Sequence, residues 1–321
     1  MAAGKDKPTV LIALGGHAFI EKGEKGTVHD HERNAANICA FLQTLVEREY
    51  NIVITHGNGP QVGNLLLLNE TCGDDKIPKM PMDVLVAETE GSLGYFLQQA
   101  MLNELRRRGI QRYVVTVVTQ VLVDPEDEAF RNPTKPVGPF LSKEEAERRR
   151  DAMGWQIVED SGRGWRRVVP SPRPVKVIQR HMIRESAAAG HIVIACGGGG
   201  IPIIKKPDRS YEGVEAVIDK DLSSSMLATQ IGADIFIILT EVPKVFIGFN
   251  TPNQRAIDAI TSEGLKELLD AGEFPPGSMG PKVEAVCGFL ERGGQRAIIT
   301  DPPSLSAALR GLGGTHIIGG C

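Results

Sequence analysis

Residues 55–63 read THGNGPQVG and follow directly on the apolar run NIVI at 51–54. A buried strand thus feeds a turn carrying Gly57, Gly59 and Gly63, and the turn feeds PQVGNLLLLNE, a run of helical character. Two readings of this junction stand side by side. In one, the glycines serve a tight turn that needs φ > 0. In the other, bare backbone N–H groups and a helix N-terminus face an anion such as a phosphate. The spacing is G-x-G-x-x-x-G, which is not the dinucleotide fingerprint G-x-G-x-x-G.

Outward from this junction, apolar β-rich runs alternate with helical patterns. TVLIALG reads as a buried strand, residues 32–49 as a helix, NIVITHG as a strand and residues 84–108 as long helical runs. Basic residues in ELRRRG suit a helix C-terminus. RYVVTVVTQ, HIVIAC, DIFIILT, QRAIIT and THIIG read as further strands, with helices near 221–230, 261–270, 280–292 and 303–310. Continuous apolar strands separated by helices predict a mainly parallel sheet covered on both faces. Residues 124–175 break the rhythm with dense proline, glycine and arginine, in DPEDEAFRNPTKPVGPF and SGRGWRRVVPSPRPV. Trp155, Trp165, Val168 and Val169 give this stretch something to pack, so it reads as an inserted flap subdomain and not as a disordered linker.

The bulk numbers narrow the class. With 321 residues, 41% hydrophobic and 24% charged, the chain has an ordinary globular composition. A net charge of -4 argues against nucleic acid as the main partner. Aromatics at 5% disfavour a stacking platform for single strands. The five cysteines form no C-x-x-C pair, the N-terminus is polar and no apolar run reaches membrane-spanning length. These features predict reduced thiols, no membrane segment and a cytoplasmic location.

Four glycine turns follow or interrupt the β-runs: ALGGHAF with Gly15 and Gly16, THGNGPQVG, ACGGGGIP, and FPPGSMGPK with Gly277 and Gly280. Ligands in open α/β sheets sit beyond the carboxyl ends of the strands. Several glycine turns there, together with lysines, suggest a polyanion held by backbone N–H groups. No Walker-type P-loop and no protein-kinase H-R-D is present. Lys135 in NPTKPVG, Lys220 in AVIDKDL and Lys282 in GSMGPKV stand at unusual places for lysines that are ordinarily solvated surface charges. Phosphoryl transfer needs such charge on the moving group and on the leaving oxygen. Asp219 and Asp221 offer magnesium binding or lysine orientation; the plainer role is a helix cap, by the Asp before LSSSMLATQ.

In order and spacing, ALGG-A, THGNGPQVG, NPTKPVG, EDSGRGWRRVVPSP, GGGGIP, VIDKD, LTEV and GSMGPKV resemble the motifs of carbamate kinases in the amino-acid kinase superfamily, over roughly residues 9–319. The resemblance implies an α/β fold, an open three-layer αβα sandwich with a mainly parallel central sheet and a small inserted flap. It implies a homodimer and the Mg²⁺-dependent reaction ATP + carbamate ⇌ ADP + carbamoyl phosphate, usually run to make ATP in catabolism of arginine, agmatine or purines. It implies that residues 1–190 hold carbamate or carbamoyl phosphate, with the flap at about 124–175, and that residues 191–321 hold ADP or ATP. Carried over by position, Gly15, Gly16, Gly57, Asn58 and Gly59 would present N–H groups to the transferred group. Lys135 and, within SGRGWRR, Arg163 would reach over the substrate from the flap. Lys220 would neutralise the moving phosphoryl, Asp221 would orient the lysines and Lys282 would bind nucleotide phosphates. Thr240, Glu241 and Val242, with Gly277, Ser278 and Met279, would frame the nucleotide.

The chain departs from the family pattern at His17, in GGHA where GGNA is usual, and at Glu241, in LTEV where LTDV is common. An imidazole titrating near pH 6.5 beside the transferred group predicts a pH-dependent kcat/KM for carbamoyl phosphate. Two other readings stay open: a kinase of a different small carbamate-like acid, and a nucleotide- or carbamoyl-phosphate-binding regulator without turnover.

Overall fold

The computed structural model describes residues 7–15, 18–21, 23–71, 78–160, 164–275 and 277–319. Gly16, His17 and Arg163, assigned to substrate above, lie outside the described residues.

Eight strands form the central sheet, in the spatial order Ala259–Thr261, Thr315–Ile318, Arg296–Thr300, Ile235–Leu239, Thr9–Leu14, Asn51–His56, Ile192–Ile194 and Val114–Thr116. Every neighbouring pair is parallel except Arg296–Thr300 against Thr315–Ile318. The side-chain alternation of a strand divides the core in two. From Thr9–Leu14, Leu11 and Ala13 pack on one face, whereas Val10, Ile12 and Leu14 pack on the other. The first face is covered by helices Arg180–Ala188, Lys220–Ile231, Ser262–Asp270 and Met279–Glu291, the second by Val28–Glu47, Met82–Arg107 and Leu305–Leu309. The sheet is thus the middle of an αβα sandwich, and strands buried on both faces carry no polar alternation.

Boundaries moved where capping chemistry outweighed hydrophobic pattern. The helix expected at 32–49 begins at Val28, because Thr27 and Asp30 form a capping box: the Thr27 hydroxyl accepts from the Asp30 N–H, and the Asp30 carboxylate accepts from the Thr27 N–H. RYVVTVVTQ is two strands, not one. Val114–Thr116 lies at the edge of the main sheet, while Gln120–Val123 leaves it for a second sheet with Pro174–Val177, Ile201–Lys205 and Tyr211–Gly213.

The inserted flap is a three-stranded antiparallel sheet, Lys135–Leu141, Trp165–Val169 and Gln156–Glu159, with the helix Lys143–Met153 alongside. Trp155, Val168 and Val169 are buried in it. The Arg149 and Arg167 guanidinium groups both lie over the Trp155 ring, 5.1 Å and 5.3 Å from its centroid. The same two arginines reach Glu70 on the helix Gly59–Thr71 at 3.2 Å and 3.4 Å, which seats the flap on that helix. Beneath it, Gly63 meets Gly138 so closely that a Cβ on Gly63 would stand 2.6 Å from the Gly138 Cα.

Candidate active site

Strand order reverses between Thr9–Leu14 and Ile235–Leu239, since the chain leaves the first toward Asn51–His56 and the second toward Arg296–Thr300. A crevice at the carboxyl ends of two such strands is where open α/β sheets bind ligands. A cavity of about 700 Å³ opens there. Gly15, the loop Leu239–Val242, Phe274 and Pro275, the segment Gly277–Met279, and Phe41, Phe246 and Phe249 wall it. Thr240, Glu241, Val242, Gly277, Ser278 and Met279, expected around a nucleotide, all line this one cavity.

A smaller cavity of about 210 Å³ adjoins it, and Gly277, Ser278 and Lys282 line both. Gly57, Asn58, Gly59, Gly198, Lys135, Lys220, Asp219 and Asp221 complete its wall. Three helices begin at this cavity: Gly59–Thr71, Lys220–Ile231 and Met279–Glu291. Each turns the positive end of its dipole toward the cavity, so the backbone alone favours an anion here.

The lysines arrive from three separate segments and meet on two carboxylates. Lys135 Nζ, on the first flap strand, donates to Asp219 Oδ2 at 2.7 Å. Lys220 Nζ donates to Asp221 Oδ1, and Lys282 Nζ donates to Asp221 Oδ2 at 3.3 Å. Asp219 is also the cap of the helix Lys220–Ile231, its Oδ1 accepting from the N–H groups of Asp221 and Leu222. The capping expected of the Asp before LSSSMLATQ therefore falls to Asp219, which leaves Asp221 to face Lys220 and Lys282. Burial pulls the Lys220 ammonium below the ordinary lysine pKa; Asp221 opposes this and Lys282 adds to it. Burial alone would raise the Asp219 carboxyl, but the charge and hydrogen bond of Lys135, with Lys220, outweigh it and hold the group below the usual aspartate value.

The glycines of THGNGPQVG work by the space they leave, not by turn geometry. Gly57, Gly59 and Gly63 do not have positive φ. A Cβ on Gly59 would meet nothing within 4 Å, so its backbone opens onto the cavity, whereas Gly63 is needed for the contact with Gly138. The positive-φ role belongs to the other turn, where Gly198, Gly199 and Gly200 have φ of 65°, 100° and 85°. A side chain on Gly198 would strike Asn58, its Cβ 2.1 Å from Nδ2. His56, at the end of its strand, is 1% exposed. Burial lowers its pKa to about 4 despite the hydrogen bond with the Gly57 carbonyl, and Lys220 adds to the lowering, so the ring is neutral near pH 7.

The site brings together Gly15, Gly57, Asn58, Gly59, Lys135, Lys220, Asp221, Lys282 and the nucleotide-side residues in two joined cavities. Asp219, weighed above for a metal or a cap, proves to be the partner that ties Lys135 to the helix Lys220–Ile231. Behind the site, on the helix Met82–Arg107, Thr89 Oγ1 accepts from the Asn58 amide at 2.8 Å and Glu90 is buried beside it. In the sequence they sit in AETEG, which carries no signal beyond an ordinary helix surface.

The fold and its anion site are those of a phosphoryl-transfer scaffold, and the chain belongs to the amino acid kinase family, whose model matches residues 8–301. It is 46% identical over 312 residues to a carbamate kinase of Thermococcus kodakarensis, covering 96% of this chain and 98% of that one. It is 44% identical to a carbamate kinase-like protein of Escherichia coli, covering 97% and 99% of the two chains. Among solved structures, it is similar to the carbamate kinase of Giardia lamblia bound to AMP-PNP, with a TM-score of 0.91, 40% identity and full coverage of both chains.

Proposed function

We propose that the protein is a carbamate kinase that transfers a phosphoryl group between carbamoyl phosphate and ADP, giving ATP and carbamate in the catabolic direction. The observation that carries the reading is the meeting of Lys135, Lys220 and Lys282 on Asp219 and Asp221, at three helix N-termini and beside a nucleotide-sized cavity. The likeness to carbamate kinases supports it.

In this reading residues 1–190 bind carbamoyl phosphate and residues 191–321 bind the nucleotide, with its base in the larger cavity and its phosphates running past Ser278 and Lys282. A terminal β-phosphate oxygen of ADP attacks phosphorus. The bond from phosphorus to the carbamate oxygen breaks, and its electron pair leaves on carbamate. The two oxygens carry like charge, so the barrier falls chiefly through fixed positive groups around the moving phosphoryl. Lys220 and the Gly57–Gly59 amides face that group, and Asn58 adds its backbone N–H. Lys282 neutralises the nucleotide phosphates, and Lys135 neutralises the carbamate side. Asp221 keeps Lys220 and Lys282 aimed at one place. Gly15 and Gly16, and Arg163 on the flap, belong to the same substrate surface by resemblance.

Among the described residues no group of three or more His, Cys, Asp or Glu side chains could hold a metal ion, and both carboxylates at the small cavity are engaged by lysines. Such a donor set fits Mg²⁺ that arrives on the nucleotide phosphates and keeps much of its water. When bound there, the ion supplies further charge neutralisation. No helix among the described residues is long and apolar enough to cross a membrane. The homodimer implied by the resemblance and the cytoplasmic location expected from the cysteine pattern belong to the same reading.

The test is ATP formation from ADP and carbamoyl phosphate with Mg²⁺ in a coupled assay. Steady ATP production is expected. Its absence would favour a second reading, a kinase of another small carbamate-like acid, for which His17 in place of the usual Asn is the specific observation.

A further inference from the structure

Glu90 lies within the helix Met82–Arg107 and is 1% exposed. It forms no ion pair among the described residues. Its Oε2 accepts from the Thr119 N–H at 2.8 Å. Thr119 then holds the glycine turn at both ends: its Oγ1 accepts from the Cys196 N–H at 3.0 Å, and its carbonyl accepts from the Ile201 N–H at 2.8 Å. The turn between them touches Glu90 and the substrate loop directly. A Cβ on Gly197 would stand 3.0 Å from the Glu90 Cγ and 2.6 Å from the His56 Nε2, and one on Gly198 would stand 2.1 Å from the Asn58 Nδ2. The neighbouring helix residue, Thr89, accepts the Asn58 amide at 2.8 Å. Two adjacent residues of one helix therefore touch both loops that line the small cavity, Thr89 the Asn58 loop and Glu90 the glycine turn at Gly197, next to Gly198.

We propose that Glu90 is a positioning residue for phosphoryl transfer, holding the Cys196–Gly200 turn against the Asn58 loop as an uncharged hydrogen-bonding group. Its setting suits the acid form. The titratable groups facing it are His56 and Cys196, with Lys220 beyond His56. His56 directs Nδ1–H at the Gly57 carbonyl, so its Nε2, which faces the turn, is a bare acceptor. Cys196 is buried and its thiol is pushed up, so it offers no positive charge. Burial raises the Glu90 pKa well above the ordinary value, against the pull of the Thr119 and Gly197 amides. Oε1 is buried with no hydrogen-bond partner. A bare carboxylate oxygen there would be costly, whereas the acid form or an amide carries no charge to desolvate. A glutamine should therefore serve in its place and an apolar side chain should not.

The test compares wild type, Glu90→Gln and Glu90→Met, the last chosen to fill the volume so that the fold survives. Infrared spectra near neutral pH should show a protonated carboxylic acid band that Glu90→Gln removes. Amide exchange at Gly199 and Gly200 should stay slow in Glu90→Gln and quicken about tenfold or more in Glu90→Met, the scale of one lost hydrogen bond. With ADP and carbamoyl phosphate, Glu90→Gln should keep kcat within about twofold, while Glu90→Met should lose about tenfold in kcat at unchanged ADP affinity. The turnover arm rests on the carbamate kinase reading; the infrared and exchange arms do not, so they decide the matter even if no ATP is made. The proposal falls if no such band disappears in Glu90→Gln, if Glu90→Gln loosens the turn as much as Glu90→Met, or if Glu90→Met leaves the turn protected.

Discussion

The larger cavity holds about 700 Å³ and is walled mainly by apolar side chains and backbone, with Glu21, Glu241 and Glu273 among them; the smaller holds about 210 Å³ and is walled chiefly by three lysines, two aspartates and glycines. They share Gly277, Ser278 and Lys282, yet their physics is opposed. The first offers area to a flat, partly apolar ligand, an interaction equal in ground and transition states. The second offers fixed charge that gains strength as charge redistributes. Substitutions in the first should change KM, and substitutions in the second should change kcat.

The largest break in that division is expected at Lys220. Lys220→Ala should lower kcat on the order of 10²-fold, about 3 kcal/mol, with ADP affinity almost unchanged in calorimetry. Near-normal turnover would make Lys220 a bystander. Next is Lys135→Ala, expected to lower kcat/KM for carbamoyl phosphate by tens of fold, since a charged hydrogen bond is worth about 1.5–3 kcal/mol. It also leaves Asp219 negative beside an anion site. Lys135→Ala with Asp219→Asn should therefore recover part of the loss, because asparagine keeps an oxygen to cap the helix. Equal losses for ADP and carbamoyl phosphate would instead mean that the flap supports the whole site.

A smaller effect belongs to the large cavity. Phe246→Ala should raise KM for ADP about fivefold and leave kcat in place, the pattern of lost uniform binding. A fall in kcat would erase the division between the cavities. The last effect is one of stability, not of turnover. Glu90 binds its proton more tightly in the folded chain than in the unfolded one, so raising pH above the unfolded value near 4.3 disfavours folding until the folded pKa is reached. Glu90→Gln lacks this penalty. Its stability advantage in urea unfolding should grow as pH rises from about 5 toward the folded pKa, by at most about 1.4 kcal/mol per unit. A constant difference across that range would show that Glu90 is ionised in the native state.

The two regions also differed in how much of them could be read from the chain. Strands such as Thr9–Leu14 and Ile235–Leu239 announce themselves because burial on both faces demands unbroken apolar runs. The lysines were legible as motifs: Lys135 and Lys282 sit at turns whose prolines and glycines are visible, and Lys220 sits between the two aspartates of VIDKD. The pairing of Lys135 with Asp219 was not, because the two are 84 residues apart and meet only through the flap. Glu90 was silent for the opposite reason: it lies in a good helix pattern, and nothing local tells a buried acid from a solvated one. Thr119 was hidden inside a run of valines that reads as one strand and is two.

The contact between Gly63 and Gly138 fixes how far the flap can descend. Two bare backbones meet there, so the stop is the thickness of the chain itself, and no rotamer can soften it. Lys135 lies three residues before that stop in the same strand. Its reach over the small cavity is thus metered by a gauge that side-chain evolution elsewhere on the flap leaves untouched. The outer surface of the flap is free to vary while the ammonium returns to one height, and a single methyl group on Gly63 would reset that height for every substrate at once.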